Sequence, residues 1–311
     1  MNLEERIKVL KRERNAVILA HNYVPGEVQD IADFVGDSLE LSVKAAEAGK
    51  GSPGRHRPTI VFCGVSFMAE TAKILSPDST VLLPVPSAGC PMADMADAEA
   101  VRAWKTARRD AIAPPVLVAY VNSTAAVKAE VDICCTSANA EKIVRSIPAD
   151  KKILFLPDRN LGANVMNATG REMELWPGFC PTHNRILPEM ALAAKERNPG
   201  ALLLVHPECL PATVAVADYS LSTGGMLRFV KESSATHFII GTEYGILHRL
   251  RRDNPGKTFI PLDPVPTCPN MKKITLESVV DALENMRYEV TLAPEVISAA
   301  RAPIERMLCV M

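Results

Sequence analysis

The chain has no run approaching the roughly 18 apolar residues of a membrane span, so nothing in it reads as a transmembrane helix. It has no C-x-x-C pair, which argues against a structural zinc knuckle or a thioredoxin-like redox pair. It carries almost no excess charge: a formal net charge of −1 over 311 residues leaves no basic field to recruit nucleic acid or an anionic membrane. The first residues, MNLEERIKVLKRERN, are charged throughout and lack the apolar core of a signal peptide. What remains is an ordinary globular composition, 48% hydrophobic and 23% charged. The expectation is a cytoplasmic protein with neither nucleic-acid nor membrane partners.

Cysteine, by contrast, is present eight times. In a reducing compartment disulfides are rare, so these residues are read as buried apolar side chains, metal ligands or nucleophiles. Three share one construction, a cysteine followed directly by proline: GCPMADM at Cys90, GFCPTHNR at Cys180 and TCPNMKK at Cys268.

Short β-branched runs alternate with stretches such as LELSVKAAEAGK, NAEKIVRSIP and GMLRFVKESS, whose apolar positions recur every three to four residues. Strands alternating with helices imply βαβ units and parallel sheets. A threefold repeat lies over this alternation. His21, Tyr120 and His206 each follow an apolar run, Asp33, Asp132 and Asp218 come 12 residues later, and Ser38, Ser137 and Thr223 come 17 residues later. The Cys-Pro cysteines follow those hydroxyls at 52, 43 and 45 residues, in steps of 90 and 88 from one cysteine to the next. The expected fold class is α/β: three homologous αβα domains, each a four-stranded parallel sheet, around a pseudo-threefold axis. Their expected limits are 1–112 (with an N-terminal helix and an insertion at 49–58), 113–199 and 200–288, with 289–311 a terminal helix docking on the body. The seams fall in DAIAPP (110–115) and NPGA (198–201), both rich in chain breakers.

Ligands of open parallel sheets bind beyond the carboxyl ends of the strands. The repeat places His21, Tyr120 and His206 after the first strand of each copy. Ser38, Ser137 and Thr223 come after the second, where a hydroxyl naturally caps the next helix. Cys90, Cys180 and Cys268 come after the fourth, with the proline suited to a first helical turn. Three thiolates from three domains suit zinc or iron–sulfur with one coordination position open. A cube normally takes four cysteines, so three would leave one iron able to bind substrate as a Lewis acid. Chemistry is expected where the copies differ. Tyr23, Asn122 and Glu208 stand two residues past the strand ends, and Ala93, His183 and Met271 stand three past the cysteines. Glu208 and His183 are therefore the leading proton-transfer candidates, with Tyr23 third. Asp33, Asp132 and Asp218 read as turn-fixing residues. Cys63, Cys134 and Cys135 read as core, Cys209 as near the site, and His56, His237 and His248 as structural; Cys309 is assigned nothing.

The segments HNYVPGEVQDIADFVGDSLELS, FMAETAKIL, GCPMADM, YVNSTAAVKAEVDICCTSANA, LPDRNLG, GFCPTHNRI, HPEC, STGGM, GTEYGILHRL and CPNMKKITLESV resemble the quinolinate synthase family over nearly the whole chain. The resemblance implies a [4Fe–4S] cluster held by Cys90, Cys180 and Cys268. It implies condensation of iminoaspartate with dihydroxyacetone phosphate to quinolinate, losing phosphate and two waters, for NAD biosynthesis. The iminoaspartate would come transiently from an upstream aspartate-oxidising enzyme. His21, Ser38, Tyr120, Asn122, Ser137, His206, Glu208 and Thr223 would line the substrate pocket, with Tyr23, Glu208 and His183 serving the proton transfers. A radical S-adenosylmethionine enzyme of the diphthamide type would share the three-cysteine architecture, but the HNY and HPE strand ends favour the first family. A non-catalytic iron–sulfur sensor would call for a basic or partner-binding surface, which the charge balance does not offer.

Overall fold

The short apolar runs fold as the central strands of three sheets, and the helical patterns between them cover the sheet faces. The structure, a computed structural model, describes residues 2–50, 57–108 and 114–310. The insertion at 49–58 and the seam at 110–115 lie largely outside the described residues.

Among the described residues the first sheet is formed by β1 (Ala16–His21), β2 (Phe34–Gly36), β3 (Thr59–Cys63) and β4 (Val81–Leu82). The second contains β5 (Val116–Tyr120), β6 (Ile133–Cys135), β7 (Ile153–Leu156) and β8 (Glu174–Leu175). The third contains β9 (Leu202–Val205), β10 (Tyr219–Ser220), β11 (His237–Gly241) and β12 (Thr258–Pro261). Among the described residues every pairing between these strands is parallel, and the orders β2-β1-β3-β4, β6-β5-β7-β8 and β10-β9-β11-β12 are the same permutation. The register repeats too: Ala20 lies opposite Cys63, Ala119 opposite Leu156 and Val205 opposite Gly241. In this order the chain leaves the first strand to one side and returns to the other. The crevice at such a switch point is where open α/β sheets bind ligands.

Asp33, Asp132 and Asp218 have a sharper role than fixing turns. Their carboxylates accept the backbone N–H of Ile18, Leu117 and Leu203 at 2.7, 2.8 and 2.7 Å, each reaching back 15 residues to the first strand of its copy. Their own N–H groups donate to the carbonyls of the same three residues. Each aspartate thus clips the start of an edge strand onto the central strand beside it. Replacing Asp132 by alanine leaves the Leu117 N–H without this charged acceptor. Chemical denaturation is expected to show a loss of about 1.5–3 kcal/mol, the usual worth of a hydrogen bond to a charged group.

The first and third sheets share one apolar cluster, to which the first contributes Ile60 and Phe62 and the third Phe238 and Ile240. The second sheet forms its own cluster, into which the last helix, Pro294–Leu308, inserts Ala300, Ile304 and Met307. That helix is tied down by Asn139, whose Nδ2 donates to the carbonyls of Met307 and Val310 at 3.3 and 3.1 Å. The first helix, Leu3–Glu13, opens on an Asn2/Glu5 capping box and buries Ile7 and Leu10. Among the described residues no helix is long and apolar enough to cross a membrane.

Candidate active site

The carboxyl ends of all three sheets border one cavity of about 200 Å³. Every site residue nominated from the sequence lines it: His21, Tyr23, Ser38, Cys90, Tyr120, Asn122, Ser137, Cys180, His183, His206, Glu208, Thr223 and Cys268. Cys209 does not; it is buried in an apolar cluster with Leu203, Val205 and Ile239 of the third sheet, its Sγ 3.7 Å from the Gly241 carbonyl. Cys63, Cys134 and Cys135 are buried in strands, and Cys309 is exposed.

Cys90, Cys180 and Cys268 are free thiols on three equivalent loops. Cys180 directly precedes the short helix Pro181–Asn184 with Pro181 in its first turn, and single 3₁₀ turns follow the other two at Ala93–Met95 and Met271–Lys273. Burial pushes the Cys90 thiol up to about 12 and raises Cys180 and Cys268 as well. The backbone N–H groups of Ala93, His183 and Met271, each three residues on, act on the respective sulfurs in the opposite sense. Charge on Cys268 is felt at Cys90, and charge on Cys90 at Cys180. Such thiols stay protonated until a cation takes the proton's place, which is how buried cysteine ligands behave.

The hydroxyl positions require a correction. Ser38, Ser137 and Thr223 do not cap helices. A cap precedes the first helical residue, and Ser38 and Thr223 are themselves first helical residues, of Ser38–Lys50 and Thr223–Glu232. In the first and third copies the caps stand one residue earlier. Asp37 accepts the N–H groups of Leu39 and Glu40 at 3.0 Å each, and Ser222 accepts that of Gly225 at 3.1 Å. In the second copy the helix starts later, at Ala140, and Thr136 accepts the N–H of Ala138 at 3.3 Å. Freed from capping, Ser137 meets His206 Nε2 at 3.3 Å and Thr223 bonds the Tyr23 phenol at 2.9 Å.

Glu208, 3% exposed, is the hub of the cavity. Its Oε1 accepts from the Tyr120 hydroxyl at 2.6 Å and lies 3.4 Å from Asn122 Nδ2, while Oε2 lies 2.7 Å from His183 Nδ1. Burial alone would raise this carboxyl. The imidazoles of His183 and His206 and the bonds from His183 and Tyr120 outweigh it, holding the pKa below the usual carboxylate range. His206 stacks on His183 with ring centres 4.6 Å apart. Burial lowers both His206 and His21 to about 3, so these two are neutral imidazoles near pH 7. Asn122 Oδ1 is buried without a partner, an acceptor facing no protein donor.

Thr242 was missed by sequence reasoning. Its Oγ1 lies 2.8 Å from His183 Nε2 and 2.6 Å from the Tyr23 hydroxyl, completing a chain Tyr23–Thr242–His183–Glu208. The next residue, Glu243, is fully buried. It accepts the N–H groups of Cys268 at 3.1 Å and Gly245 at 2.7 Å and pairs with Lys272 at 2.9 Å. Lys272 in turn donates to the Tyr23 carbonyl at 2.6 Å, so this clasp ties the Cys268 loop to the end of β1. Both missed residues follow β11, the third strand of its sheet. The signal was there to find: Gly64–Val65 and Pro157–Asp158 occupy the equivalent places, and the third copy alone puts a hydroxyl beside a carboxylate with no apolar residue between.

Fold and site together define a three-lobed α/β enzyme whose buried centre combines three free thiols with a carboxylate–imidazole pair. A profile of the family described as "Quinolinate synthetase A protein" (NadA) matches residues 5–309. A quinolinate synthase from Geobacter sp. (strain M21) is 51% identical over 309 residues, covering 99% of this chain and 97% of that protein. Another from Desulforudis audaxviator (strain MP104C) is 52% identical over 306 residues, covering 98% and 97%. One from Methanoregula boonei (strain DSM 21154 / JCM 14090 / 6A8) is 51% identical over 306 residues, again 98% and 97%. The chain belongs to the quinolinate synthetase A family, and so to the enzymes of NAD biosynthesis.

Proposed function

We propose that the chain forms quinolinate from iminoaspartate and dihydroxyacetone phosphate, with loss of phosphate and two waters. Cys90, Cys180 and Cys268 hold a [4Fe–4S] cluster with one iron left open. The observation that carries this reading is that three free, partly buried thiols, one from each repeat, line one cavity with Glu208 and His183. The donor set fits the group, since soft thiolates select iron–sulfur over harder cations. When bound, the cluster supplies a Lewis acid at its open iron.

The protein's own residues supply the rest. Burial raises the Tyr23 phenol far above its ordinary range, although Thr223 and Thr242 pull it back, so Tyr23 rests as a proton donor. Through Thr242 it communicates with His183, and Glu208 stands as the fixed anion that stabilises an imidazolium at His183 as one forms. This hydrogen-bonded chain offers a proton donor at Tyr23 and a proton acceptor at the His183–Glu208 pair, the two roles that proton removal from carbon and protonation of a leaving hydroxyl require. Ser38, Ser137, Thr223, His21, His206 and Asn122 give the carboxylates and phosphate of the substrates neutral donors and bring no further negative charge, while Tyr120 lines the pocket with its hydroxyl donated to Glu208. The proposal extends to domain limits at 1–112, 113–199, 200–288 and 289–311, to a cytoplasmic location, and to delivery of iminoaspartate by an aspartate-oxidising enzyme.

Purified without oxygen, the protein is expected to be brown with about four irons per chain, as one cubane implies, and to form quinolinate from the two substrates. A colourless, iron-free preparation with full turnover refutes the cluster. A four-iron preparation that makes no quinolinate refutes the substrates.

A further inference from the structure

We propose that in the cluster-free chain Cys180, His183 and Glu208 form a binding site for a single divalent cation, with Zn²⁺ the best fit, and that its occupancy excludes catalysis. Cys180 Sγ, His183 Nδ1 and a Glu208 carboxylate oxygen lie within 4.8 Å of one another. The separations are 3.3 Å from Nδ1 to Sγ and 2.7 Å from Nδ1 to Oε2. Zinc bonds of about 2.0–2.3 Å give tetrahedral edges of about 3.3–3.7 Å. The first pair meets that already, and the second opens by roughly half an ångström or more as the cation replaces the hydrogen bond.

The surroundings are those of a supported metal site. Tyr120 holds Glu208 Oε1 at 2.6 Å and leaves Oε2 to the ion. Thr242, 2.8 Å from His183 Nε2, accepts the N–H that a ligating imidazole must place there. Sulfur, nitrogen and oxygen donors together suit Zn²⁺. A thiolate and a carboxylate balance its two charges, which a buried centre requires. Binding releases the Cys180 thiol proton to solvent and moves the imidazole proton from Nδ1 to Nε2, with no redox change.

That shift explains the exclusion. The chain from Tyr23 to Glu208 needs the proton on His183 Nδ1, and the metal needs it on Nε2. The cation also takes Cys180 from the cluster. The site stands on the geometry alone; the exclusion rests on the proposed function.

The test uses the full chain, stripped of iron by a chelator and checked for folding by circular dichroism. Cobalt(II) is titrated as a spectroscopic substitute for zinc. One equivalent should bind with a thiolate-to-cobalt charge-transfer band and the visible bands of a four-coordinate ion, and Zn²⁺ should displace it. His183→Ala and Glu208→Gln should abolish this binding, Thr242→Val should weaken it about 10–100-fold, and Cys268→Ala should leave it unchanged. Loss of binding in Cys268→Ala together with retention in His183→Ala would place the ion among the three thiols and overturn the site. So would the absence of any saturable binding to the folded chain. Unhindered iron–sulfur reconstitution of zinc-loaded protein overturns the exclusion, while quinolinate formation by iron-loaded enzyme, assayed separately, reports on the proposed function.

Discussion

Alanine at any one of Cys90, Cys180 or Cys268 is expected to strip the protein of iron and of quinolinate formation together. Each sulfur comes from a different repeat, so no neighbouring cysteine of the same loop can replace it. Cys209, in the same lobe as Cys268, is buried away from the cavity and engaged with the Gly241 carbonyl. A cube left with two thiolates has two uncovered irons, and iron content should fall from about four per chain towards zero. Lewis-acid stabilisation is worth several kcal/mol, and each 1.4 kcal/mol is tenfold in rate, so turnover should fall by about 10³-fold or more. Cys309→Ala, at an exposed position remote in sequence from the three loops, is the control and should keep both iron and rate. A variant lacking one of the three thiols yet retaining four irons and normal turnover would remove that residue from the ligand set.

What the sequence made legible follows from where apolar runs stop. β1, β5 and β9 are buried central strands, so the polar residue ending each is conspicuous, and threefold repetition separates it from chance. Of the edge strands, β2, β6, β8 and β10 are two or three residues long, too short to show a period-two pattern, and the second strand of each copy was legible only through the repeat. Thr242 and Glu243 escaped for the opposite reason. After the third strand the first position carries Gly64, Pro157 and Thr242, and at the next only Asp158 and Glu243 agree, so no threefold pattern marks the place. In the first and third copies the caps were misplaced by one residue because a hydroxyl at a first helical position looks, in sequence, like a hydroxyl at the cap. The hydrogen bonds separate them, since Asp37 and Ser222 accept from the first-turn N–H groups.

Glu208→Gln should give the second large effect, and of a different kind. The glutamine has nearly the same shape, and Cys90, Cys180 and Cys268 are untouched, so the iron content should stay near that of the parent. The negative charge is lost, however, and with it the anion facing His183 at 2.7 Å. An imidazolium forming at His183 would then be buried without a counter-charge, and the amide has one hydrogen-bond acceptor where the carboxylate offered both oxygens to Tyr120 and His183. Loss of a positioned acid–base group costs about 10²–10⁴ in rate, and kcat should carry the loss with KM for either substrate little changed. Because Glu208 and Thr242 flank the same imidazole, the double variant Glu208→Gln/Thr242→Val should fall little below the slower single variant, as groups acting as one unit do. Full additivity of the two losses would show that Thr242 and Glu208 act separately. An unimpaired kcat in Glu208→Gln would take the carboxylate out of the chemistry and leave it as a scaffold for Tyr120 and His183.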